Sequence, residues 1–221
     1  MIEAIIFDFD GVIVDTETPD YTTWQGIFES YGVELERELW TGFIGGGSDE
    51  FDVYEHLEGL SGITVDRVEL RRRMRAIFLE EIEQSPVLPG VLDYIECAKD
   101  MGLRVGLASS SSREWVEGHL GSRGILDRFD DIKGSDDVDM VKPSPELYLS
   151  SSRELGVCPG NAMAIEDSVK GVKAAKLAGL FCVAVPNPMT EGLDFSLADV
   201  RVRSLAHMPL QSLIDRANRG S

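Results

Sequence analysis

Asp8 and Asp10 stand one residue apart in "IIFDFDGVIVDTE", residues 5–17, straight after an apolar run and before Gly11. Two carboxylates this close raise each other's cost of ionisation unless a cation or a shared proton relieves them. That points to metal chemistry, although a strand-ending turn that uses Asp and Gly for backbone reasons has the same local sequence. Three further polar stations follow along the chain. They are Ser109-Ser110-Ser111-Ser112, Lys142-Pro143 in "VKPSPELY", and Glu166-Asp167-Ser168. Taken together they offer acids for a hard divalent cation, hydroxyls and helix-start amides for an anion, and one lysine to offset charge. Mg²⁺ suits such an inventory, because it takes few carboxylates together with waters and a substrate phosphate. Zn²⁺ suits it poorly, since no Cys or His accompanies the acids. The natural anion is a phosphate monoester, which needs an in-line nucleophile and a cationic clamp on its free oxygens.

Each station has to be carried by an element. Apolar, β-branched runs at 4–7, 103–107, 162–165 and 180–185 alternate with helical patterns, with weaker strand signals at 131–133 and 199–202. The alternation predicts an α/β fold, a Rossmann-like parallel sheet core with helices on both faces. Every station then falls where a strand ends and the chain turns towards a helix, which is where open α/β sheets bind ligands. Helices are expected near 113–123, from Ser144-Pro145-Glu146 onwards, and at 169–178. From Thr16 to about Ser85 the rhythm breaks: no buried strand is legible, and helical spacing runs through 19–31, 49–58 and 65–84. The expected organisation is an α/β core from 1–15 and 86–221, with a helical-bundle cap, 16–85, inserted after the first strand. "SPVLPG" at 85–90 reads as the return linker. The last stretch, from Met208, reads as a short amphipathic helix with a frayed end.

Composition narrows the partners. With 21 Lys and Arg against 39 Asp and Glu, the formal charge of −18 disfavours nucleic acid and anionic membranes. Small anionic substrates remain compatible, because a few cations and backbone N–H groups dominate inside a pocket. Cys97, Cys158 and Cys182 are odd in number and widely spaced, which predicts reduced thiols. No signal-peptide pattern and no long apolar run is present, so a cytoplasmic location is expected. No exposed apolar stripe demands a partner, and a monomer is the simplest expectation.

In this order and spacing, D-F-D-G-V-I-V-D-T-E, L-A-S-S-S, V-K-P-S-P-E and I-E-D-S-V-K-G resemble the four motifs of the haloacid dehalogenase superfamily. The helical insertion after the first motif resembles its helical-cap phosphatases and β-phosphoglucomutase-like proteins. The resemblance implies that Asp8 attacks phosphorus to form an aspartyl-phosphate, while Asp10 protonates the leaving alcohol and then activates water. It implies that Ser109 and Lys142 hold the transferring phosphoryl group, with Ser110 and Gly11 beside them. Asp8, the backbone carbonyl of Asp10 and Asp167 would hold Mg²⁺, with Glu166 in direct contact or one layer behind. Dehalogenase members lack the second acid, so Asp10 argues for phosphoryl transfer.

The cap departs from the β-phosphoglucomutase pattern. Where that enzyme has a histidine after the first motif and a cap arginine gripping a second phosphate, this chain has Asp20 and Asp49. An acid cannot grip phosphate, so water is the simpler final acceptor, unless Arg71, Arg72, Arg73 or Arg75 supplies the cation; a solvated basic helix face is the alternative for that run. No lysine occurs in 16–85, which disfavours the Schiff-base chemistry of phosphonoacetaldehyde hydrolase. Asp20 and Trp24 lie four apart on one helical face and are expected to meet the substrate. Gly46 and Ser48, in the loop Gly45-Gly46-Gly47-Ser48, and Arg72 complete the candidate substrate contacts. The leading expectation is a Mg²⁺-dependent phosphatase of a small phosphorylated metabolite, a sugar or polyol phosphate. A phosphosugar mutase and a non-catalytic binding protein on the same fold are the alternatives.

Overall fold

The computed structural model describes residues 1–44 and 51–219. Strand β1, Ala4–Phe7, is apolar at every position and buried throughout. Four helices follow it, α1 (Glu17–Ser30), α2 (Arg37–Thr41), α3 (Val53–Ser61) and α4 (Arg67–Gln84). Helix α5 (Val91–Asp100) then leads to β2 (Arg104–Ala108), α6 (Arg113–Ser122) and β3 (Asp131–Lys133). The chain closes with α7 (Glu146–Glu154), β4 (Ala162–Glu166), α8 (Val169–Ala178), β5 (Phe181–Ala184), β6 (Val200–Arg201) and α9 (Leu210–Arg219).

The strands form one six-stranded sheet in the order β3-β2-β1-β4-β5-β6, every pair parallel. The expected α/β core with a parallel sheet is what the chain builds. Strand order reverses at β1, which pairs with β2 on one side and β4 on the other, and that reversal opens a crevice at the strands' carboxyl ends. Phe7 is level with Leu107 and Ile165. Asp8, Ala108 and Glu166 therefore leave the sheet at one height, which brings three sequence stations together.

Side chains alternate across the sheet. Ile5 and Phe7 join one apolar cluster, and Ala4 and Ile6 join the other, beneath the alanine-rich α8. Trp24, Ile27, Phe28, Leu35, Leu57, Val65 and Leu70 form a third, separate cluster inside the helical segment. Helix α4 serves two of these clusters. Leu70 and Met74 pack with the helical segment, whereas Ile82, fully buried, and Phe78 pack into the sheet's cluster. The helices start on side-chain caps where the sequence supplies them: Asp52 for α3, Asp66 for α4, Ser112 for α6 and Ser168 for α8. Helix α2 has no counterpart among the sequence expectations, because five residues are too few to show a period. No helix among the described residues is long and apolar enough to cross a membrane.

Candidate active site

Asp8 begins the turn after β1, its own N–H donating to the Ile165 carbonyl at 2.9 Å. Its Oδ1 lies 2.7 Å from Lys142 Nζ, and the same ammonium lies 2.7 Å from Glu166 Oε1. All three groups are buried, Lys142 at 1% exposure. The Lys142-Pro143 bond is cis. Glu166 also accepts from the Tyr148 hydroxyl at 2.5 Å and from Ser168 Oγ at 3.3 Å. Oxygen atoms of Asp8, Glu166 and Asp167 lie within 4.8 Å of one another. Asn187 Nδ2 donates to Asp167 Oδ2 at 2.6 Å and fixes that carboxylate's rotation.

Three buried carboxylates thus share one lysine, and the charges follow. Burial alone would push Lys142 down, but Asp8 and Glu166 outweigh it and hold the ammonium above its ordinary range. One ammonium cannot offset the whole cluster. Burial, then Glu166, push Asp8 up to about 8 against the pull of Lys142, with Asp10 adding to the rise. Burial, then the carboxylates of Glu17, Asp8 and Glu166, drive Asp167 well above its usual value. A divalent cation would relieve this excess, and a donor set made only of carboxylate oxygens fits a hard ion such as Mg²⁺.

Asp10 faces the other way, outside that group of three. Its carboxylate accepts from Ser111 Oγ at 2.7 Å, Ser109 Oγ at 3.1 Å and Thr16 Oγ1 at 3.0 Å. Ser109 also accepts from the Ser111 N–H at 3.0 Å, so in this arrangement its hydroxyl is engaged locally. Ser110, by contrast, lines the open cleft with its buried hydroxyl unpartnered. Gly11 is the one expected phosphate contact that the geometry reassigns. Its N–H donates to the Val14 carbonyl at 2.8 Å and is not free for an anion. At φ +75° the glycine instead makes room, since a Cβ there would sit 2.1 Å from Asp167 Oδ2.

Above these groups lies a cleft of about 850 Å³, walled by α1 and α4 on one side and α6 on the other. Asp20 and Trp24 both line it, as their shared helical face predicts. Burial, then Asp10, push Asp20 up to about 7, and its Oδ1 is buried without a partner. Trp24, 4% exposed, packs edge-on against Tyr54, with a centroid distance of 5.3 Å, so most of its ring supports the cap's interior. Arg72 is placed differently from expectation. It pairs with Glu69 at 2.7 Å on the exposed face of α4, while Arg71 and Arg75, one turn apart, line the cleft. The helical period of α4 turns Arg72 about 100° from Arg71. Gly46, Ser48 and Asp49 lie outside the described residues.

Several residues of the site were not among the expected site residues. Glu17 lines the cleft, and its carboxyl is driven well above its usual range by burial and by Asp10, Asp20 and Asp8. It is the last residue of the first motif, and a helix starting at 17 rather than 19 would have placed it on the cleft-facing helix. Tyr148 and Asn187 reach the site only through the fold. The helical segment also touches the core away from its linkers. Arg37 donates to the Pro188 carbonyl, Phe43 lies 6.0 Å under Lys170 Nζ, and Phe78 stacks on Trp115 with centroids 5.9 Å apart.

Comparison with known proteins agrees with this geometry. Residues 5–185 match the haloacid dehalogenase-like hydrolase family. The chain is 46% identical over 218 residues to YhcW of Bacillus subtilis, a phosphatase by assignment, covering 99% of each protein. It is 35% identical to hexitol phosphatase B of Escherichia coli, over 96% of this chain and 97% of that protein. The crystal structure of a point mutant of CbbY from Rhodobacter sphaeroides, in complex with xylulose 1,5-bisphosphate, superposes with a TM-score of 0.77 at 30% identity, covering 96% of this chain and 99% of that one. With the four motifs gathered at the carboxyl ends of the sheet, beside the helical segment, the chain belongs to the haloacid dehalogenase-like hydrolases.

Proposed function

We propose that this protein is a Mg²⁺-dependent phosphatase of sugar or polyol phosphates, working through an aspartyl-phosphate on Asp8. One observation carries the reading: Asp8 is held 2.7 Å from a buried lysine at the floor of an open cleft, with Asp10 fixed beside it by three hydroxyls. An Asp8 carboxylate oxygen forms the new bond to phosphorus as the ester bond breaks, and Asp10 gives its proton to the departing alcohol oxygen. Asp10 then takes a proton from water, whose oxygen attacks the phosphoryl group and returns Asp8 and inorganic phosphate. Lys142 offsets the negative charge that gathers on the phosphoryl oxygens. Asp8 and Asp167, with Glu166 beside them, would hold Mg²⁺, which when bound supplies positive charge to the same oxygens.

For the alcohol half, the cleft offers acids rather than bases closest to Asp10. Glu17 and Asp20 suit substrate hydroxyls as hydrogen-bond acceptors or, when protonated, as donors. Two relatives whose names carry a hexitol phosphatase and a complex with a sugar bisphosphate support the same class. Residues 16–85 are proposed to act as a lid that excludes bulk water, with 1–15 and 86–221 as the catalytic core.

The test is phosphate release from a panel of sugar, polyol, nucleotide and glycolate phosphates with Mg²⁺, for wild type and Asp8→Asn. Hydrolysis of a polyol or sugar phosphate that falls at least about 10³-fold in the variant is expected. Activity that survives Asp8→Asn would falsify the nucleophile assignment. Phosphate that returns to the product only when a bisphosphate activator is added would favour a mutase.

A further inference from the structure

Helix α6 forms the core-side wall of the cleft, and His119 lines that wall two turns after the serine station. Its ring is locked in place. It stacks on Phe9, the residue between Asp8 and Asp10, with centroids 6.1 Å apart, and meets Trp115 edge-on at 4.0 Å. Arg123 Nη1 lies 3.3 Å from His119 Nδ1. A guanidinium only donates, so Nδ1 must accept, and the imidazole is the neutral tautomer with its proton on Nε2. Burial, then Arg123, lower the pKa of His119 against the opposing pull of Asp10 and Glu83, which agrees with a neutral ring.

Arg123 is itself anchored. Its Nη2 donates to the carbonyls of Ile82 at 2.6 Å and Ser85 at 2.9 Å, at the end of α4 where the cap rejoins the core. The orientation of His119 is thus set by the same side chain that pins the cap's return. No hydrogen bond from Nε2 to another described residue is present, and the cleft is the space this residue borders.

We propose that His119 is a specificity-determining residue, a neutral donor whose Nε2–H bonds an oxygen on the leaving alcohol of the substrate. Distance along α6 favours the alcohol over the phosphate. Seven residues past Ser112, at about 1.5 Å each, places His119 roughly 10 Å further along the axis than the serines at the phosphate end. A neutral N–H recognises a hydroxyl, ether or carbonyl oxygen without demanding a second negative charge, so the ligand class is an oxygenated, uncharged carbon skeleton. Where the cap side offers the acids Glu17 and Asp20, the core side offers this donor, and a polyol can satisfy both. The proposal rests on the phosphatase reading above.

The experiment compares wild type and His119→Phe on sorbitol 6-phosphate and on phenyl phosphate, whose leaving alcohol has no oxygen beyond the ester. Phenylalanine keeps the ring contacts with Phe9 and Trp115 and removes the donor. KM for sorbitol 6-phosphate is expected to rise about tenfold with kcat within about twofold, while phenyl phosphate is unaffected. His119→Gln, which retains an N–H, is expected to recover part of the loss. Equal losses on both substrates, or none on either, overturn the proposal. Should the phenylalanine variant be insoluble, His119→Leu reads the same contrast. A wild type inactive on sorbitol 6-phosphate but active elsewhere on the phosphate panel overturns this proposal alone, whereas one inactive across the whole panel overturns the phosphatase reading, and this proposal with it.

Discussion

The floor of the cleft and its cap wall are built on opposite terms. On the floor, Asp8, Lys142, Glu166 and Tyr148 are each buried and joined to one another by two ion pairs and a hydrogen bond, at 2.5 to 2.7 Å. On the cap wall, Arg71 and Arg75 are exposed and have no carboxylate partner among the described residues, and Asp20 keeps an unpartnered oxygen. The ion pairs that the cap does make, such as Arg67 with Asp52 at 2.8 Å and Glu58 at 3.0 Å, lie at the surface, where such pairs contribute little. A low-dielectric site penalises any missing partner, so it fixes residue identity and geometry together. The exposed arginines of the cap wall carry no such penalty, whereas the buried oxygen of Asp20 does. The proposed reaction chemistry therefore falls on the floor, and the proposed substrate discrimination on the wall.

The contrast is most easily broken at Lys142. Lys142→Met leaves two buried carboxylates without their cation, and a loss of about 3–5 kcal/mol in unfolding free energy is expected, with activity abolished. Urea denaturation with and without Mg²⁺ measures it, and a variant as stable as wild type would show that the floor is not electrostatically coupled.

Next comes pH. Asp8 at about 8 and Asp20 at about 7 bind protons more tightly folded than unfolded, where Asp titrates near 3.8. Between about pH 4 and pH 8 the metal-free folded protein thus carries more protons than the unfolded chain, and its stability falls as pH rises. The melting temperature without Mg²⁺ should drop across this window. Added Mg²⁺ should raise it more at pH 8 than at pH 5, and a flat metal-free profile would contradict the charge excess assigned to the floor.

Smaller effects are expected on the wall. Asp20→Asn should change KM for polyol phosphates by up to about tenfold and leave kcat for phenyl phosphate near wild type. An unchanged KM and substrate ranking would remove Asp20 from the set of substrate contacts. Smallest of all, Arg72→Ala should alter neither kinetic constant by more than about twofold, because its guanidinium is spent on Glu69 at the surface. A large effect there would mean that the outer face of α4 meets the substrate after all.

The sequence by itself determined the parallel sheet and the four stations. Apolar strands such as Ala4–Phe7 and Ala162–Glu166 can only be buried, and the acids at their ends must then emerge at the carboxyl edge, whereas Lys142, nine residues past the end of β3 at Lys133, is brought there by the fold. Helix α8 was legible to the residue at 169–178, bounded by a serine cap and a glycine at φ +86°. Only the tertiary structure decided what Gly11 is for, since its need to be small comes from Asp167, far along the chain. The same holds for Asn187 on Asp167, Tyr148 on Glu166 and Arg123 on His119, where nothing in the local sequence names the partner. It also decided which arginine of "LRRRMR" faces the cleft, because four basic residues in a row of six leave the helical period without a polar face to mark. Strand burial is a property of a short segment's own side chains, whereas a partner across the site is a property of how distant segments pack, and that is why chemistry was readable and specificity was not.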